Sequence, residues 1–150
     1  MTTPASGHQP TESTAQEVAF ADRVTEALDA ASLALLLSLG HQSGLFDALT
    51  TLSAPATSAE IATRTGLNER YVREWLGGTT VAGVLDYDPV NQTYRLPQHH
   101  AAVLTRAAGA ANLARVAQYI ALMGEVEQKV LGCFRHGGGL PYSDYPRFHA

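Results

Sequence analysis

The chain has 150 residues, of which 45% are hydrophobic and 16% are charged, and its formal net charge is −4. This hydrophobic content can fill the core of one ordinary domain, which argues against a wholly disordered protein. The acidic balance argues against a general binder of nucleic acid or of anionic membranes, because such proteins carry an excess of Lys and Arg. Cys133 is the only cysteine, which excludes an intramolecular disulfide and a thiolate metal cluster.

The first residues are polar and predict a tail without a core of its own. Residues 1–15 are rich in Thr, Ser, Pro and Gln, so we expect them to be disordered. They contain no basic residue, unlike a secretory signal, and the longest apolar run, residues 33–39, is far shorter than a membrane span. These features predict a cytoplasmic protein that contacts no membrane.

Residues 16–44 are predicted to form two helices, residues 16–31 and 32–43. In the first, Val18, Val24 and Leu28 recur at helical spacing among charged residues. The second has leucines on most of its circumference, which predicts burial on nearly every side. A domain of this size has little core to cover such a helix, so we expect a homodimer in which a second copy covers part of it.

Residues 45–97 carry the pattern of a winged helix-turn-helix. Thr57 and Glu60 form a capping box at the start of a short helix, and Asn68 is a suitable N-cap for the next. Ala62, Gly66 and Val72 provide a small residue at the helix contact, a residue that tolerates positive φ at the turn, and a β-branched residue that packs the second helix on the first. Alternating apolar residues at 85–87 and 93–96, with a turn between them, predict the β-hairpin wing.

Residues 98–136 are predicted to be helical, with a break near Gly109. A helix over residues 98–106 is followed by a long amphipathic helix that Asn112 caps. The long helix has a broad apolar stripe that comprises Leu113, Val116, Ile120, Met123, Val130 and Phe134. Three glycines from Gly137 end it, and residues 137–150 are predicted to be a hinge toward a further domain. The expected fold class is therefore mainly α: a winged helix-turn-helix with a small β-hairpin wing, flanked by N- and C-terminal helices.

We find no pattern that predicts a catalytic or metal site within the chain. His99 and His100 are consecutive, so on a helix they point about 100° apart and cannot chelate one ion. Cys133 lies among apolar residues of a predicted helix, as a small core residue would. The triple glycine has no preceding strand or following helix at the spacing of a phosphate loop.

DNA binding is the alternative function for a winged helix, with Arg70, Arg73 and Arg95 as the candidate contacts. Between residues 46 and 96, however, six acidic residues outnumber four arginines, a net charge of −2. Because affinity for DNA comes largely from phosphate neutralisation, this balance disfavours specific DNA binding.

Several motifs together resemble one bacterial family. They are residues 40–49, the capping box and the helix-turn-helix (residues 57–62 and 66–76), the wing (residues 85–88 and 94–97), and residues 134–142. In combination they resemble the N-terminal part of class I S-adenosylmethionine-dependent methyltransferases that carry a winged-helix head. The resemblance covers about residues 20 to 146.

The resemblance implies a dimerising head domain that roofs the substrate pocket of a small-molecule methyltransferase. S-Adenosylmethionine is implied for the complete family member, but the acidic-x-Gly-x-Gly turn of its cofactor domain does not occur in this sequence. The chain would then be a truncated part, not catalytic alone, whose partner is the missing methyltransferase domain. The residues that would lie near substrate or cofactor in a complete enzyme are Tyr142, Tyr145, Tyr119 and Met123. The alternatives are a free-standing winged-helix transcription regulator and the inert remnant of a frameshifted gene.

Overall fold

The computed structural model of the chain describes residues 12–145. Its first element is one helix, α1 (Glu12–Ser43), where the sequence predicted two. The prediction of two helices was wrong because residues 12–39 contain neither Gly nor Pro, so nothing breaks the backbone hydrogen bonding between them. Residues 12–15, predicted as part of a disordered tail, also belong to α1, and residues 1–11 of that tail lie outside the described residues.

The helix-turn-helix has the predicted arrangement. α1 ends before Gly44, which adopts a left-handed φ of 76° and precedes the short helix α2 (Leu45–Thr50). The two helices of the motif are α3 (Ser58–Thr65) and α4 (Glu69–Val81). Both bonds of the capping box are present: Glu60 N donates to Thr57 Oγ1 at 3.3 Å, and Thr57 N donates to Glu60 Oε2 at 2.8 Å. Gly66 takes the positive φ that the turn requires, 69°.

The wing is a two-stranded antiparallel hairpin of β1 (Asp86–Asp88) and β2 (Thr93–Arg95). Tyr87 is the register partner of Tyr94, and their ring centroids are 4.7 Å apart. Tyr94 also exchanges two backbone hydrogen bonds with Ala56, of 2.8 and 3.1 Å, so the wing is joined to the loop that precedes α3.

The C-terminal segment consists of short helical elements followed by one long helix. α5 (Gln98–Leu104) ends two residues before its predicted end, because Thr105 is extended; a 3₁₀ helix then covers Arg106–Ala111. Asn112 accepts a hydrogen bond from Arg115 N and starts α6 (Leu113–Val116), and α7 (Gln118–His136) ends at Gly137 with φ 72°. A short 3₁₀ helix, Tyr142–Asp144, lies in the predicted hinge.

The apolar stripe identified in the sequence lies mostly on the exposed side of α6 and α7. Leu113, Val116, Ile120, Met123 and Phe134 are all exposed, Phe134 by 85%. The buried side of these helices comprises Ala114, Ala117, Leu122 and Val126. The helices are thus apolar on two faces, and the small alanines of the buried face let the backbone approach its neighbours more closely than the larger stripe residues would.

The core lies among α2, α3, α4, the wing and α5. Its largest fully buried side chains include Phe46, Ile61, Val72 and Leu76. The rings of Phe46 and Trp75 meet edge to face at 5.1 Å, and Trp75 Nε1 donates a hydrogen bond to Leu36 O at 2.8 Å. The end of α1 is thereby held against α4.

Candidate functional site

On α4 and the wing, the surface that would contact DNA, two of the three candidate arginines form ion pairs with neighbouring carboxylates. Arg70 and Arg73 are exposed on α4, and Arg73 Nη1 lies 3.6 Å from Glu69 Oε1. In the wing, Arg95 Nη2 lies 2.7 Å from Asp86 Oδ2. Pairing with neighbouring carboxylates cancels the field of Arg73 and Arg95 that phosphates would otherwise meet. The three arginines therefore do not provide a strongly basic surface.

The residues predicted to approach substrate lie on α7 and in the segment after it. Tyr119 and Met123 are about half exposed on the first turns of α7, and Tyr142 is exposed in the 3₁₀ helix. Asp144 Oδ1 in that 3₁₀ helix lies 3.4 Å from Lys129 Nζ, which holds the segment beside the second half of α7. Tyr119 precedes Lys129 by ten residues, about 15 Å along a helix. The ion pair therefore places Asp144, and with it the 3₁₀ helix that begins at Tyr142, beside Lys129 in the second half of α7.

A groove lies between the end of α1 and the start of α4, and sequence reasoning did not identify it. We call it the α1–α4 groove; its volume is about 480 Å³, and its apolar lining is Leu36, Leu39, Leu45, Leu67, Tyr71, Val72 and Trp75. Leu39 is 57% exposed and Tyr71 is 73% exposed at its rim. The available signal was the surplus of apolar residues in residues 32–43, which exceeds what the core takes up.

A polar cluster joins the end of α1 to the segment before α6. Arg106 forms an ion pair with Asp47, and its Nη2 donates to His41 O at 2.7 Å. The buried Asn112 places its Nδ2 3.3 Å from His41 Nδ1. Burial lowers the pKa of His41, and the guanidinium of Arg106 lowers it further, so the neutral imidazole is favoured here. The cluster is a structural link between α1, α2 and the 3₁₀ helix that precedes α6.

The histidine pair is not arranged to hold a metal. The rings of His99 and His100 meet edge to face at 4.2 Å, and His100 Nδ1 is 2.9 Å from Val84 O, which requires the proton on that nitrogen. Among residues 12–145, no three His, Cys, Asp or Glu side chains come together as metal ligands would. In the same part of the chain, no helix combines the length and the apolar character needed to cross a membrane.

The fold occurs as one part of several methyltransferase structures. The chain matches mitomycin 7-O-methyltransferase MmcR with a TM-score of 0.64 at 23% identity, over 84% of this chain and 37% of that one. It matches PigF with SAH with a TM-score of 0.62 at 23% identity, over 77% of this chain and 32% of PigF. Human N-acetylserotonin methyltransferase in complex with SAM matches with a TM-score of 0.56 at 14% identity, over 86% and 35% of the two chains. The chain thus spans about a third of the length of these structures.

At these identities the structural matches establish the fold. They agree with the resemblance found in the sequence, that of a winged-helix domain found at the N-terminus of methyltransferases. No match was found among curated proteins. The sequence of residues 31–106 matches the family described as the Rv2258c-like winged HTH domain. Since this match spans just over half of the 150 residues, the chain belongs to the Rv2258c-like winged HTH domain family.

Proposed function

We propose that the chain is the winged-helix head of a small-molecule methyltransferase that uses S-adenosylmethionine, and that the head does not catalyse alone. The observation that carries the proposal is the partial match: methyltransferase structures contain this fold in about a third of their length. Two of them hold SAM or SAH, which supports the same cofactor for a complete protein that includes this chain.

The exposed apolar face of α6 and α7 supports the proposed place of the head beside a catalytic domain. Val116, Ile120, Met123 and Phe134 are exposed on this face, which is unusual for a monomer that meets only water. In our proposal the face packs against the methyltransferase domain. Tyr119 and Met123, together with Tyr142 and Tyr145 in the following segment, would then help to roof the substrate pocket.

We further propose that the head forms a homodimer through α1. Every side chain described between residues 12 and 31 is exposed, apolar residues included. Most of the stability of a helix in a protein comes from packing of its apolar face, so a partner would stabilise this helix. A second copy of the chain supplies one without any further component.

The experiment that tests the methyltransferase proposal begins with the DNA that follows the codon of residue 150. We expect a stretch that encodes an acidic-x-Gly-x-Gly turn after an apolar strand. The protein extended through that stretch should bind one S-adenosylmethionine in calorimetric titration, whereas the 150-residue chain should show no heat of binding. A micromolar site in the 150-residue chain, or no such stretch in any reading frame, would contradict the proposal.

A further inference from the structure

We propose that His41 is a pH-sensitive switch: its neutral ring holds the start of α6 on the C-terminal end of α1, and protonation of the ring loosens α6. The inference uses only contacts among residues 41–115. It depends neither on the methyltransferase proposal nor on the homodimer.

The side-chain amide of Asn112 has a defined orientation. Its Oδ1 accepts a hydrogen bond from Arg115 N at 3.0 Å, which is the N-cap bond of α6. Its Nδ2 therefore faces the other way, and it lies 3.3 Å from His41 Nδ1. An amide nitrogen can only donate a hydrogen bond, so His41 Nδ1 has to be the acceptor. The contact thus requires a ring that carries no proton on Nδ1.

Protonation of His41 would remove this acceptor. A protonated imidazole carries N–H on both nitrogens and has no free lone pair, so two donors would then face each other. Asn112 is only 3% exposed, and its Nδ2 would have no water to replace the lost partner. A buried donor without a partner destabilises the structure that holds it. The structural cost of protonation therefore falls on the residue that caps α6.

The surroundings of the ring also oppose a positive charge. Burial is the largest cause that lowers the pKa of His41, followed by the guanidinium of Arg106. Asp47 raises this pKa, and Arg115 lowers it. Residues 32–43, the end of α1 on which the ring lies, contain no Asp, Glu, Lys or Arg. Two cations and one carboxylate therefore face the ring, and the neutral form is favoured.

The direction of the pKa shift gives the direction of the switch. In the unfolded chain, histidine has its ordinary pKa of about 6.5, whereas in the folded chain the pKa of His41 is lower. Above the ordinary value the ring is neutral in both states, and its contact with Asn112 is fully present. As the pH falls below that value, the unfolded chain binds a proton more readily, so the folded contact loses stability until the folded pKa is passed.

The response should be local to the C-terminal helices. Asn112 begins α6, and α7 follows it directly, so the exposed apolar face of these two helices is attached through the cap. The contact includes no residue of α3, α4 or the wing, which should keep their structure. A mildly acidic pH would thus change how firmly this face is held to the winged helix.

Hydrogen exchange at the Arg115 amide tests the switch, because this amide donates to Asn112 Oδ1. After correction for the intrinsic rate, we expect its protection to fall about tenfold between pH 7.5 and pH 5.5, as for a buried group that loses its partner. The variant His41→Asn keeps an acceptor oxygen near the position of Nδ1 and does not titrate, so its protection should change little. The matched control His99→Asn removes an exposed histidine of α5 and should behave as wild type. Equal protection of the wild type at both pH values, or an equal loss in His41→Asn, overturns the proposal.

Replacing the amide by a carboxylate tests the chemistry of the contact. Asn112→Asp keeps an oxygen for the cap, but it presents a negatively charged acceptor to His41 Nδ1, so the protonated ring becomes the better partner. By nuclear magnetic resonance, the wild-type His41 ring should titrate at lower pH than in a short peptide that spans it. In Asn112→Asp the ring should titrate at higher pH than in the wild type, and the protection of Arg115 should no longer fall with pH. The same titration of His41 in wild type and Asn112→Asp would overturn the proposal. Neither measurement involves S-adenosylmethionine, so the methyltransferase proposal is decided separately by its own titration.

Discussion

At Gly40 the end of α1 approaches two buried rings. A Cβ on this residue would lie 2.5 Å from Trp75 Cζ2 and 2.6 Å from Phe46 Cε2. The missing side chain therefore lets Trp75 reach across to α1, where its Nε1 bonds to Leu36 O. Gly40 is thus required by packing at the junction on which the α1–α4 groove is built.

We expect Gly40→Ala to lower the free energy of unfolding by about 1–3 kcal/mol, because neither ring can move away from the added methyl group without disturbing the core. The matched control is Gly77→Ala in α4, where an added Cβ would meet no atom within 4 Å. This control should raise the free energy of unfolding by about 0.5–1 kcal/mol, since Ala is favoured over Gly in a helix. Urea denaturation at one protein concentration measures both. Equal stability of Gly40→Ala and wild type would contradict the close packing.

Among the elements, α4 and the wing have the fold of a DNA-binding winged helix but lack the positive charge that binding DNA requires. Glu69 forms an ion pair with Arg73 and also accepts a hydrogen bond from Ser58 Oγ at 2.7 Å. Asp86 likewise forms an ion pair with Arg95. Exposed ion pairs contribute little to stability, so the main consequence of these pairs is electrostatic.

We expect the chain to bind duplex DNA weakly and without sequence preference, and to lose that binding between 50 and 200 mM salt. The double variant Glu69→Gln, Glu74→Gln removes two of the six carboxylates in residues 46–96, which changes the net charge of that segment from −2 to 0. It should therefore raise the non-specific affinity measured by fluorescence anisotropy. Recovery of one defined motif from a selection with the wild-type protein at physiological salt would instead favour the transcription regulator.

For the whole molecule, the central question is what covers the apolar surface that one chain leaves exposed. Two such surfaces exist among the described residues: the face of α1 that includes Phe20 and Leu28, and the face of α6 and α7 that includes Ile120 and Phe134. In our proposals a second copy covers the first, and a methyltransferase domain covers the second. The head would then connect two identical catalytic units.

We expect the melting temperature of the chain to rise with protein concentration, because a partner that binds only the folded state stabilises it by mass action. Helix content at 25 °C should fall on dilution, since the N-terminal half of α1 loses its partner when the dimer dissociates. A variant lacking residues 1–24 removes Phe20 and Val24 and serves as the control. Its melting temperature should depend little on concentration. A wild-type melting temperature that stays constant over a hundredfold range would contradict dimer-coupled folding.

The sequence by itself determined the winged helix-turn-helix, because its signals are local. The capping box of Thr57 and Glu60, the positive φ of Gly66 and the N-cap Asn68 act within a few residues of chain, and all three are present in the structure. The two strands of the wing follow from alternation over three residues each. The single helix α1 could also have been predicted, because no Gly or Pro interrupts residues 12–39.

Only the tertiary structure decided which apolar faces are buried. Periodicity shows that α7 has apolar residues, but it cannot choose between the face of Ile120 and Met123, which is exposed, and the face of Leu122 and Val126, which is buried. That choice depends on which neighbours a helix meets, and those neighbours are distant in sequence. The α1–α4 groove is undetermined by the sequence for the same reason: Leu39, Leu67 and Tyr71 share a surface only because Trp75 packs beside Gly40 and fixes α4 against the end of α1.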